Sequence, residues 1–115
     1  MTVDRSHRAR EATEISAAIT AIHRVSYERE LSSVDTVVGD GCVAAVLRFD
    51  VAPGERFVME AGDADAVSRL YDATERSLET TLRAEDERTT GRTVVAFQSS
   101  MNPRHGLIVE AFVLA

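Results

Sequence analysis

Lysine is absent: all 13 basic residues are arginine. We read this as the codon bias of a GC-rich genome, not as an arginine-specific site. Positive charge is also outnumbered, since 19 acidic residues leave a net charge of −6. That balance argues against nucleic acid, whose affinity comes mostly from neutralised phosphates, and equally against an anionic membrane surface. Cysteine is reduced to Cys42 alone, which excludes an internal disulfide and fits a reducing compartment. Cys42 has no base among its sequence neighbours, so it reads as a structural thiol. No apolar run approaches the roughly 20 residues of a membrane span. The opening MTVDRSHRARE lacks the apolar core of a signal peptide. We therefore expect a cytoplasmic chain with no direct membrane insertion and no nucleic-acid partner.

Chemical motifs are missing as well. There is no HExxH, CxxC or Walker loop. His7, His23 and His105 are scattered without ligand-like spacing. Gly39-Asp40-Gly41 is too short for a phosphate cradle and no helix follows it. No catalytic residue, cofactor or metal ligand is assigned, and His23, beside an apolar stripe, reads as a packing or surface residue.

What is present is the composition of one ordinary globular domain: 115 residues, 44 % hydrophobic and 28 % charged, with about the first ten residues frayed. The strongest signal is the stretch Thr90 to Leu114, in which two apolar runs flank a loop. We expect strands at Arg92–Gln98 and Leu107–Leu114, joined by Ser99 to Gly106. Before them, a first helix is expected from about Asp4 to Glu30, with the stripe Ala12, Ile15, Ile19, Ile22 and Val25. Asp35–Val38 and Cys42–Val51 read as a hairpin around Gly39-Asp40-Gly41. In its second strand Val43, Ala45, Leu47, Phe49 and Val51 share a face. Ala52-Pro53-Gly54-Glu55 reads as a turn, and Arg56 to Glu60 as a short third strand or an extended lead-in.

A second helix begins at Gly62-Asp63 and stops at Gly91, with Val67, Leu70, Tyr71, Thr74, Leu78 and Leu82 along its stripe. Glu79 and Arg83 form a favourable i,i+4 pair, and Glu85-Asp86-Glu87-Arg88 reads as a solvated end. The order α-β-β-(β)-α-β-β gives an α+β fold, an antiparallel sheet with two helices on one face.

Two sets of residues stand out. In the hairpin loop, Arg104 and His105 offer an anion or partner contact, or else the loop is a plain connection. On the last strand Glu110 alternates with Ile108, Phe112 and Leu114. A carboxylate there needs a partner or a place near the rim. Arg48 and Arg92 are candidates for an internal ion pair with it; the alternative is that this face is solvated or an interface edge.

From about Ile15 to Leu114 the chain resembles the MpsC family. The resemblance is carried by Tyr27, Val43 to Leu47, Ala52-Pro53-Gly54-Glu55-Arg56, Glu60-Ala61-Gly62, Thr90 to Ser99, and Val109 to Leu114. It implies a link to a system that generates membrane potential by cation translocation, coupled in related systems to bicarbonate uptake. The other components of such a system are a membrane transporter and a large soluble partner. No catalytic assignment carries over. In one departure, Glu28-Arg29-Glu30-Leu31-Ser32 stands where family members often have a glycine- and proline-containing turn, so the first helix is expected to run on.

The expected role is thus a non-enzymatic accessory or regulatory one, peripheral to the membrane through a protein such as a transporter subunit. A homodimer is expected because the apolar final strand would otherwise be an aggregation-prone edge. The alternative is a stand-alone dimeric interaction, chaperone-like or small-anion-sensing module. A further class is an enzyme using Arg104, His105 and Glu110.

Overall fold

The computed structural model describes residues 5–115. In chain order the elements are α1 (Arg5–Tyr27), β1 (Ser33–Val38), β2 (Cys42–Arg48), α2 (Pro53–Glu60), α3 (Ala64–Thr90), β3 (Val94–Asn102), a 3-10 turn (Pro103–His105) and β4 (Leu107–Leu114). The strands form one antiparallel sheet in the order β1-β2-β4-β3. On one face, α1 lies over β1 and α3 over β3, and the two helices pack against each other. This is the expected α+β architecture.

Strand alternation sets the layers. Val43, Ala45 and Leu47 of β2 face the helices together with Ile108, Glu110, Phe112 and Leu114 of β4, and all seven are buried. The core continues through Phe49 and Val51, although β2 itself ends at Arg48. Ile15 and Ile19 enter it from α1, and Val67, Tyr71 and Leu82 from α3. Helix α3 is bounded as its sequence requires: the Asp63 side chain accepts from the Ala66 N–H, and Gly91 closes the helix at φ 70°. Its last turns clasp the sheet. Arg83 pairs with Glu79 and donates to the Val94 carbonyl, while Glu87 accepts from the Val94 N–H.

Several expectations are corrected. The 53–60 segment is helix, not a turn and strand. Proline at the first helical position loses no hydrogen bond, and the Glu55 carboxylate accepts from the Ala52 N–H, satisfying a group at the helix start. Helix α1 ends at Tyr27, not Glu30, because Glu28 takes φ 54°. That left-handed residue breaks the helix. The start of the helix at Asp4 lies outside the described residues, as do residues 1–4 of the stretch expected to fray; residues 5–10 are helical.

The stripe of α1 is also rotated. Glu11, Ile15, Ile19 and His23 are buried, whereas Val25 is 79 % exposed. On α3, Leu70 is exposed and Asp86 is buried, so the acidic end is not wholly solvated. The hairpin loop is shorter than expected because Ser99 to Asn102 continue β3. Finally, β4 lies between β2 and β3, so the last strand is central and not an edge. The edge strands are β1 and β3.

Candidate functional site

The fold gathers three ionisable side chains under the sheet. Spacing of four residues after Ile15 and Ile19 points His23 inward from α1. The same spacing after Val67 and Tyr71 turns Glu75 inward from α3. Glu110 projects from β4 on the helix-facing side, opposite Ala45 and Ser99 in the sheet register. The side chains of His23, Glu75 and Glu110 are 0–1 % exposed.

The geometry is specific. Nδ1 of His23 donates to the Ile19 carbonyl at 2.8 Å, within its own helix. Nε2 then stands 3.0 Å from Oε2 of Glu75 and 3.0 Å from Oε2 of Glu110. The Tyr27 hydroxyl donates to the same Glu75 oxygen at 2.9 Å. Glu75 Oε1 and both oxygens of Glu110 are buried without an aligned hydrogen-bond partner.

Burial opposes a charge on His23, but hydrogen bonds and charge from Glu110 and Glu75 outweigh it and lift its pKa to about 10. Burial raises Glu110 to about 8, against the pull of His23. Burial acts on Glu75 in the same direction, but His23, Glu110 and Tyr27 bring it below the ordinary value. Burial, then the Glu75 charge, pushes the Tyr27 hydroxyl up. With protons alone, these shifts favour a proton on His23 and on Glu110 and a charged Glu75.

A ring column leads outward from this cluster. His23, Tyr27, Tyr71 and Phe49 stack in succession with centroids 5.6, 5.2 and 5.1 Å apart. The Arg29 guanidinium lies 5.3 Å from the Tyr71 ring centre and pairs with Glu55, which also accepts from the Tyr71 hydroxyl at 2.8 Å. Tyr27, Arg29, Glu55 and Tyr71 line an open surface cleft. Tyr27 therefore touches both the cleft and the buried carboxylate.

Of the residues singled out from the sequence, only Glu110 enters the cluster. Its cationic partner is His23, not an arginine. Arg48 is in register with Leu107 and lies on the opposite sheet face, while Arg92 donates to the carbonyls of Asp40 and Ala115. Arg104 and His105 are exposed on the 3-10 turn. Glu75 is missed by the sequence reading, and His23, read there as a packing or surface residue, is packed in the core but also meets two carboxylates. The signal for both is a polar residue at four-residue spacing on a core stripe, the helical counterpart of the alternation that marked Glu110.

A family model described as "Na+-translocating membrane potential-generating system (MpsC)" matches residues 7–115. No match is found among curated proteins or among solved structures. Among the described residues, no helix is long and apolar enough to cross a membrane.

Proposed function

The chain belongs to the MpsC family, and from that premise we propose that it is a non-enzymatic accessory or regulatory subunit of a cation-translocating, membrane-potential-generating system. The observation that carries this reading is the family match over residues 7–115, nearly the whole chain. The system's transport could be linked to bicarbonate. In this role the protein is cytoplasmic and reaches the membrane through a protein partner. Arg104 and His105, exposed between β3 and β4, supply a cationic point for that partner or for a small anion.

A second element of the proposal is a homodimer. The sheet face away from the helices carries an apolar centre, and Val37, Val109 and Val113 on it are exposed. A second copy seated there would bury this surface.

The test is a mild-crosslinking pull-down of the tagged protein from its native host at native salt, read by mass spectrometry. The expected result is an integral membrane cation- or bicarbonate-transporter subunit that is lost with Arg104→Ala/His105→Ala. Recovery of the protein alone, or of soluble proteins only, would count against the accessory role and favour a free-standing dimeric module.

A further inference from the structure

We propose that His23, Glu75 and Glu110 form a binding site for a divalent first-row transition-metal ion, of which Zn2+ is the type. Nε2 of His23 and one oxygen from each carboxylate lie within 4.8 Å of one another. The two N···O separations of 3.0 Å are close to the roughly 3.3 Å between ligand atoms around a tetrahedral ion with bonds of about 2.0–2.1 Å. A small outward relaxation of the carboxylates would admit the ion.

Three further observations point the same way. First, His23 spends Nδ1 on the Ile19 carbonyl. That bond fixes the ring so that Nε2 faces both carboxylates, just as metal-bound histidines donate their other ring N–H to an oxygen. Nε2 must then meet a cation, either a proton or a metal. Second, His23 and Tyr27 do not fill the acceptor capacity of the two carboxylates. Glu110 is wholly buried and both its oxygens lack an aligned partner, as does Glu75 Oε1. Native interiors leave few such atoms unpaired, and a metal would engage them. Third, two carboxylates and a neutral imidazole balance a divalent charge in a buried site. The Tyr27 hydroxyl, already on Glu75, is placed to support that ligand.

The donor set also separates this ion from the one in the family's description. An imidazole nitrogen suits zinc, iron or nickel, while hard cations favour oxygen shells. The site is thus not the sodium path but an internal metal that ties α1, α3 and β4 together.

The test is direct. Protein is refolded with Zn2+ or Co2+, so that burial imposes no loading barrier, then desalted. Metal content is measured by mass spectrometry and the Co2+ form by visible absorption. The expected result is one ion per chain, tetrahedral Co2+ bands without a sulfur charge-transfer band, and a raised Tm. Affinity should fall 10- to 100-fold or more in Glu110→Gln and His23→Gln, and His105→Ala should bind as wild type. The wild-type spectrum is decisive even if a core variant fails to fold. The proposal is overturned by no bound metal after refolding, by equal stoichiometry in the folded core variants, by loss in His105→Ala, or by a Co2+–thiolate band assigning the metal to Cys42. None of these outcomes bears on whether a transporter subunit is recovered in the pull-down.

Discussion

Asp86 continues the buried stripe of α3 one turn beyond Leu82, and its Oδ2 finds no hydrogen-bond partner. Burial, with the charge of Glu85 beside it, raises its pKa to about 7. A raised carboxyl pKa means that the folded state holds the proton more tightly than the unfolded chain does. The associated stability is present below the unfolded value near 4. It declines as pH rises from there and is lost above about 7. Asp86→Asn should therefore be more stable than wild type at pH 8, by up to about 4 kcal/mol, with the gap closing towards pH 4. Thermal melts across that range check it, and parallel curves for the two proteins would rule the account out. Asp86, His23 and Glu75 share one reason for being hard to read in the sequence. A helical stripe is found by following its apolar members, so a polar residue on it is assigned to the neighbouring face. Glu110 was legible because a strand's alternation leaves only two faces, and its neighbours Ile108 and Phe112 name the buried one.

The elements differ in how much of them a local pattern fixes. The hairpin strands and α3 follow from alternation, caps and glycine, each acting over a few residues. Helix α2 was not legible because Pro53-Gly54 serves a turn and a helix start equally well. What decides is Glu55, which caps the Ala52 N–H and is itself held by Arg29 and Tyr71, residues distant in sequence. The end of α1 was unreadable for the opposite reason, since Glu28 is a residue that ordinarily avoids its φ of 54°. A left-handed conformation costs a residue with a Cβ roughly 1–2 kcal/mol, partly offset by the extra unfolded-state freedom of a glycine put in its place. Glu28→Gly should thus raise stability by about 0.5–1 kcal/mol, while Glu28→Ala, which keeps the Cβ, should gain nothing. Urea midpoints of the two variants decide it. Equal gains in both would trace the effect to the lost charge and not to the backbone.

At the scale of the whole molecule, the order β1-β2-β4-β3 was beyond local pattern, because inserting the last strand between β2 and β3 is a long-range choice. That order removes the edge-strand argument for a dimer and replaces it with one about a face. Opposite the helices, the register places Val37, Ala44, Val46, Leu107, Val109, Ala111, Val113 and Ala96 together. These apolar residues run down the middle of the face, with Gln98, Ser100 and Asn102 of β3 along one side, the pattern of an apolar centre with a polar rim that contact surfaces show. The charges that the register places on this face are one Asp35 and one Arg48. One charge of each sign is compatible with the same face of a second copy, and two sheets pack stably face to face. Light scattering should accordingly give twice the 12.6 kDa chain mass. Val109→Asp/Val113→Asp, which puts two carboxylates in the middle of the face, should give the monomer with unchanged far-ultraviolet circular dichroism. Because both valines point away from His23, Glu75 and Glu110, this variant should also retain any metal bound beneath the sheet. A wild-type monomer would remove the self-pairing and leave the face to another protein. A double variant that stays dimeric would move the interface to the helices or the edges.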